Sequence, residues 1–369
     1  MSKSSQPSDS DGNSSDAGSR LNARPAEQRL QEIAATLPGN TILATSIGRG
    51  QAAESLARAR PDASVTCWFM DSHFAALASD HIALHPEGVP ANLAINCIAD
   101  WPEVECDMAL LPIHSKSEAE LSRDLLQSAF LRLREGGILV AAVDNPKDRW
   151  LHDQLKIYSK SVKVRPFDDA VVYFIIKDQP LKRVRDFSCE VCFKDLDVLL
   201  KLITRPGVFS HRELDNGARQ LLDAVDVYPE SRLLDIGCGS GAVSIGLAAR
   251  DPSARIHAVD SNARAVWCTR KGADINGLTN ITYEVNHTGI YGEPNSFDMA
   301  LANPPYFADF QIAELFIHAA IRSLRPEGRL VLVTKQPKWY EENISRWLDD
   351  AEVFASRRYH IVSGIKPTV

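Results

Sequence analysis

At 369 residues the chain exceeds one ordinary hydrophobic core and fits two domains plus a remainder. Hydrophobic residues at 44% and charged residues at 24% match a soluble globular composition, and no apolar run approaches the ~20 residues that span a bilayer, which excludes a membrane span. A net charge of −7 excludes wholesale coating of nucleic acid, so any phosphate-binding surface must be a local patch.

Residues 1–25 are mostly Ser, Asp, Gly and Asn, with too little to bury to offset the entropy of ordering, and read as a disordered tail. The tail lacks the apolar core of a secretory signal, so a cytoplasmic location is expected, and the seven scattered cysteines are expected to be reduced. A helical pattern (PAEQRLQEIAATL) followed by the strand and glycine turn TILATSIGRG opens a first domain, residues 26–178. A linker, residues 179–199, with the boundary near residue 195, leads to a second domain, residues 200–369.

The two domains read as copies. The segment from Thr41 and the segment from Ser231 both run strand, glycine turn, helix, strand, acid. Gly48 lies 23 residues before Asp71 and Gly237 lies 23 before Asp260, an offset of 189. CDMALLPIHS (Cys106 to Ser115) likewise resembles FDMALANPPY (Phe297 to Tyr306). Alternating strands and helices at this period predict an α/β fold: two tandem, Rossmann-like, doubly wound domains whose ligands sit at the carboxyl ends of parallel strands.

In LLDIGCGSGA, Gly237, Gly239 and Gly241 permit close backbone approach at the start of a helix. The same turn also satisfies a dinucleotide fingerprint, with Asp260 as a ribose acceptor, so a dehydrogenase stays open on these residues alone. Asp235, just before the glycines, tilts the reading: a carboxylate there suits the ammonium group of S-adenosylmethionine, which a nicotinamide dinucleotide lacks. Asp260 would then take the ribose, and Asn286, after the third strand, would accept from the adenine amine.

After the fourth strand come Asn303, Pro304, Pro305 and Tyr306. The two prolines lock φ, so the Asn303 side chain and the Pro304 carbonyl can be held as acceptors facing one NH2 group. Accepting both hydrogens lets that nitrogen pyramidalise towards a methyl donor, and Tyr306 would stack on a planar substrate such as an unstacked base.

Taken in order, PGVFSHRELDNGARQLL (Pro206 to Leu222), LLDIGCGSG, HAVDSNARAV and NPPYF resemble the class I methyltransferases of the methyltransferase small domain group, in particular the bacterial ribosomal RNA guanine-N2 methyltransferases. The resemblance covers the C-terminal half. It implies S-adenosylmethionine as cofactor, ribosomal RNA or a ribosomal subunit as partner, and Asn303, Pro304 and the aromatic at 306 as the residues that orient the amine. It also places Val208, Phe209 and Ser210 beside the cofactor, and implies an N-terminal copy that has lost the cofactor site and helps to hold RNA. Ser46, Ala52 and Leu111 to His114, set against Asp235, Gly241 and Asn303 to Tyr306, agree with that loss. This family usually carries Phe and then His after the two prolines, whereas this chain has Tyr306 and Phe307, the NPPY form common in adenine-N6 and glutamine-N5 methyltransferases.

Lys156, Lys160, Lys163, Arg165, Lys177, Lys182, Arg183 and Arg185 form a candidate phosphate-tracking stretch. Cys189 and Cys192 make a CxxC without a second pair, so no metal is expected. The expected protein is a monomeric methyltransferase of an exocyclic amine, with N2 of a ribosomal guanine as the target. A glutamine or adenine amine, or a non-catalytic RNA-binding role, are the alternatives.

Overall fold

Cys106–Ile113 is buried along its whole length and Arg232–Ile236 after its first residue, the mark of strands packed on both faces inside a parallel sheet. A computed structural model describes residues 21–305 and 310–368, and the chain in it divides into two compact units between Phe187 and Ser188. The predicted disordered tail lies, but for its last residues, outside the described part.

The first unit contains α1 (Pro25–Ala34), β1 (Thr41–Thr45), α2 (Gln51–Ala59), β2 (Ser64–Phe69), α3 (Ser72–Ala83), β3 (Leu93–Cys97), β4 (Cys106–Ile113), α4 (Ala119–Arg132), β5 (Leu133–Val143), α5 (Trp150–Leu155), β6 (Lys163–Pro166) and β7 (Val171–Ile176). Its seven strands lie in the order β3-β2-β1-β4-β5-β7-β6. Apolar residues of α1, α2 and α3 build one core against the sheet, and those of α4 and α5 build the other.

The second unit opens with the hairpin β8 (Cys189–Asp195) and β9 (Val198–Thr204). It continues through α6 (Asn216–Asp223), β10 (Arg232–Ile236), α7 (Ala242–Arg250), β11 (Arg255–Asp260), α8 (Ala263–Ile275), β12 (Ile281–Val285), β13 (Phe297–Ala302), α9 (Gln311–Ser323), β14 (Leu324–Thr334), α10 (Pro337–Asn343), β15 (Asp349–Ser356) and β16 (Tyr359–Ile365). The strand order, β12-β11-β10-β13-β14-β16-β15, repeats that of the first unit. Two tandem, doubly wound α/β units are thus present, as the sequence predicts.

Strand register corrects the offset that relates them. Ile42 pairs with Val65 and Met108, and Leu233 with Ile256 and Met299, so each partner lies 191 residues on. Backbone carbonyls repeat the relation: Asn92 ties those of Ala57, Arg60 and Ala63, and Asn280, 188 residues on because the segment before the third strand is shorter, ties those of Ala248, Asp251 and Ala254. An offset of 189 came from matching Gly48 and Asp71 by identity, but Asp71 caps α3 through the N–H groups of His73 and Phe74, the role that Asn262 plays for α8. The true counterparts of Asp235, Gly237, Gly239, Gly241, Asp260 and Asn303 are Ala44, Ser46, Gly48, Gly50, Phe69 and Pro112.

The boundary also moves from residue 195 to Phe187/Ser188, because residues 189–204 form a hairpin built into the second unit. Asn276 on α8 exchanges hydrogen bonds with the backbone of Lys201, and Phe193, Leu200 and Leu202 enter the core of α6, α7 and α8. Asp195 takes a two-pronged bond from Arg250, 2.8 and 3.0 Å, while the same guanidinium closes on the carbonyls of Val225 and Leu222. Lys177, read from sequence as a phosphate contact, instead donates to the Leu131 and Leu133 carbonyls at the end of α4.

Asp195 is 3% exposed, so Asp195→Ala leaves the part-buried Arg250 guanidinium without its counter-charge and is expected to lower stability by about 3 kcal/mol in chemical denaturation. A loss under about 1 kcal/mol would mean that the pair is solvated and the hairpin only a linker.

Candidate active site

The second sheet reverses its direction of growth beside β10: the chain proceeds outward to β11 and β12, then returns to the other flank as β13. A crevice opens at such a point, outside the carboxyl ends of the strands. Ile236 pairs with Val259 on one side and with Ala302 on the other. The next residues along these three strands are Gly237, Asp260 and Asn303. Register alone therefore brings three sequence-predicted site residues to one edge.

The turn after β10 uses left-handed backbone at Gly237, Gly239 and Gly241, with φ of 75°, 56° and 85°. Two of these positions also need the absence of a side chain. A Cβ at Gly241 would stand 2.7 Å from the Thr269 methyl, and one at Gly237 would stand 3.1 Å from the Phe316 ring. Among the described residues other than its chain neighbours, none has an atom within 4 Å of where a Cβ on Gly239 would be. Asp260 accepts from the N–H groups of Gly239 and Asn262, both at 2.9 Å, so one carboxylate ties the glycine turn to the start of α8.

Asp235 is buried at 3% exposure. Its Oδ2 accepts from the Ser244 N–H at 3.1 Å and the Ser244 hydroxyl at 2.5 Å, in the first turn of α7. Burial pushes its carboxyl up to about 6; the bonds from Ser244 oppose that rise and the charge of Asp260 adds to it.

The segment before α6 is anchored to the same corner. Asn262 donates to the Gly207 carbonyl and the buried Arg264 to the Pro206 carbonyl, each at 2.8 Å. Val208 packs on Ala265 and Cys268, while Phe209 is left 67% exposed. Asn262, which also binds Asp260, thus holds the segment that carries Phe209.

Asn286 is engaged otherwise than the sequence suggested. Its Oδ1 accepts from both the N–H and the hydroxyl of Thr288, and its Nδ2 donates to Glu284 and to the Ile290 carbonyl. An amide committed on both ends closes a local turn and leaves no lone pair for an adenine amine. Pro304 is buried at the end of β13, and Tyr306 lies outside the described residues.

Sequence reading missed three participants. Asp215, the N-cap of α6, accepts from the Ala218 N–H at 2.9 Å and from Asn303 Nδ2 at 2.7 Å. Gly217 gives these groups room, since a Cβ there would stand 2.8 Å from Asn303 Nδ2. Ser244 binds Asp235. The capping role of Asp215 was visible in DNG before an amphipathic run, but its partner 88 residues away was not.

The twin turn in the first unit is filled from within. Ser46 stands at the position of Gly237; its hydroxyl donates to Glu27 and accepts from the N–H groups of Gly48 and Gly50 at 2.9 and 3.0 Å. Gln51 accepts from the Arg49 N–H, and Glu27, fully buried, accepts from the Ala52 N–H at 3.3 Å. Burial raises the Glu27 carboxyl above the usual carboxylate range, against the hydrogen bonds that lower it. Phe69 is buried where the second unit presents Asp260. Among the described residues no group of three or more His, Cys, Asp or Glu side chains is arranged to hold a metal.

The methyltransferase small domain family matches residues 199–363. Ribosomal RNA small subunit methyltransferase C of Pseudoalteromonas atlantica (strain T6c / ATCC BAA-1087) is 30% identical over 154 residues, which span 41% of this chain and 44% of that relative's length. Its namesake in Pseudomonas entomophila (strain L48) is 32% identical over 263 residues, covering 69% of this chain and 77% of the relative. The solved structure of T. thermophilus 16S rRNA N2 G1207 methyltransferase (RsmC), in complex with AdoMet and guanosine, shares the fold at a TM-score of 0.71 and 20% identity, over 93% of this chain and 92% of that one. The chain belongs to the ribosomal RNA small subunit methyltransferase C family of class I S-adenosylmethionine-dependent methyltransferases.

Proposed function

We propose that this chain transfers a methyl group from S-adenosylmethionine to the exocyclic N2 of a guanine in small-subunit ribosomal RNA, using its second unit for chemistry and its first for docking. The observation that carries this reading is the alignment of Asp260, the glycine turn and Asn303 on one edge of the second sheet. Family membership supplies the substrate class.

The residues fit the cofactor. The open face at Gly239 leaves space against the turn, Asp260 suits a ribose diol, and Asp235 suits an ammonium group. When bound, the cofactor supplies a methyl group on a sulfonium centre. Asn303 Oδ1 and the Pro304 carbonyl accept the two hydrogens of the target amine, which withdraws the nitrogen lone pair from the ring and points it along the line of attack. Tyr306 and the exposed Phe209 supply aromatic surface for an extruded base. In the first unit, the exposed Lys160, Lys163, Arg165, Lys182 and Arg183 serve as phosphate contacts. We take the protein to be a cytoplasmic monomer; no helix among the described residues is long and apolar enough to cross a membrane.

Labelling with methyl-tritiated S-adenosylmethionine of ribosomal RNA from cells lacking this gene, as naked RNA and as subunits, is expected to yield N2-methylguanosine on nucleoside analysis. Label in N6-methyladenosine, or in a protein glutamine, would overturn the target assignment.

Asp235 gives the cofactor site a pH dependence. Its ionised form holds an ammonium group and its protonated form does not. Affinity for S-adenosylmethionine is therefore full above about 6 and falls as pH drops through that value, by up to about tenfold per pH unit. Asp235→Asn should bind more weakly and show a flat profile between about pH 5 and pH 7. Calorimetry showing the same slope in the variant would remove Asp235 from the ammonium site.

A further inference from the structure

Asn303 can serve as an acceptor only if its amide oxygen, and not its NH2 group, faces the target. Nothing in the NPPY sequence enforces that choice, because the two ends of an amide have the same shape and size. The side chain on the far side of the amide can enforce it.

Asp215 occupies that place. Its Oδ2 lies 2.7 Å from Asn303 Nδ2 and 2.9 Å from the Ala218 N–H. A carboxylate accepts and does not donate, so it binds the Nδ2 end and leaves Oδ1 as the end that can accept from another group. The approach is close: a Cβ on Gly217 would stand 2.8 and 2.9 Å from the two terminal atoms of the amide and 2.7 Å from Asp215 Oδ2. Gly217 does not need its glycine for conformation, since its φ is not positive. It is required by the space that the Asp215–Asn303 pair occupies.

The first unit provides an internal comparison. α1 begins at Pro25 and α6 at Asn216, and the Gln28 N–H bonds to the Arg24 carbonyl as that of Arg219 does to Asp215, so the offset of 191 extends to these helices. Arg24 stands in place of Asp215, Ala26 in place of Gly217, and Pro112 in place of Asn303. The unit whose turn is filled by its own side chains lacks all three residues together.

We propose that Asp215 is a positioning residue for methyl transfer: by accepting from Nδ2 it fixes the flip of the Asn303 amide and presents Oδ1 to the target amine. This rests on the assignment of Asn303 as the amine acceptor. Capping α6 and orienting Asn303 make different demands on the residue. Ser caps a helix about as well as Asn or Asp, but its hydroxyl is shorter and does not reach Asn303. An Asn at 215 presents one amide oxygen where Oδ2 now serves both donors.

The test compares Asp215→Ser, Asp215→Asn and Asn303→Ala in the full-length protein, with kcat for methyl transfer to ribosomal RNA from cells lacking the gene, affinity for S-adenosylmethionine and Tm measured on each. Asp215→Ser is expected to lose about 10- to 100-fold in kcat, with cofactor affinity and Tm unchanged. Asp215→Asn should restore most of the turnover. If Asp215→Ser keeps wild-type kcat while Asn303→Ala is inactive, the positioning role is overturned and the acceptor assignment stands. If Asp215→Ser loses turnover only in step with Tm and cofactor affinity, Asp215 is a cap and nothing more, which also overturns the proposal. If Asn303→Ala turns over normally, the acceptor assignment fails and the inference fails with it.

Discussion

Peptide N–H groups in a tight glycine turn must find acceptors, and the source of those acceptors separates the two halves of this chain. Both halves place the turn between a buried strand and a helix, at the same register within the same seven-stranded order. In the first, Ser46, Gln51 and Glu27 take up the turn from inside. In the second, Asp260 holds one N–H of the turn, and among the described residues no side chain closes over Gly239. The turn of the first copy thus differs from that of the second by more than the absence of a few side chains. A buried carboxylate on α1, that of Glu27, bonds into its turn from within.

The second copy is organised around pairs that join distant segments at one sheet edge. Asp260 binds the turn and Asn262; Asn262 binds Gly207 and thereby holds the segment carrying Phe209; Asp215 binds Asn303. Apart from the bond to the glycine turn, each has one partner on a strand end or loop and the other at a helix cap, where free N–H groups and capping side chains concentrate. The proposed cofactor and amine subsites would therefore share a frame built from helix caps. A methyl transfer that depends on alignment more than on acid–base chemistry is suited to such a frame.

Much of this was legible in the sequence. Apolar strands, glycine turns and the repeated order of elements are local signals, enough for two doubly wound units and for singling out Gly237, Asp260 and Asn303, which the register sets side by side. Matching by residue identity placed the copies two positions out of register, because a capping Asp71 looks the same as a strand-end Asp260. The hairpin was read as linker because the stretch leading into it is polar and its anchor, Asp195 to Arg250, spans 55 residues. Asn286 showed the opposite failure. Its partners lie within four residues, in a local turn that composition does not distinguish from a ligand contact. The Asp215–Asn303 pair needed the fold itself to be seen.

Calorimetric titration of the intact chain with S-adenosylmethionine tests the division of labour most directly. One molecule should bind per chain, and Asp260→Ala should abolish binding. Two molecules per chain, or a single site that survives Asp260→Ala, would contradict the assignment of cofactor to the second unit alone.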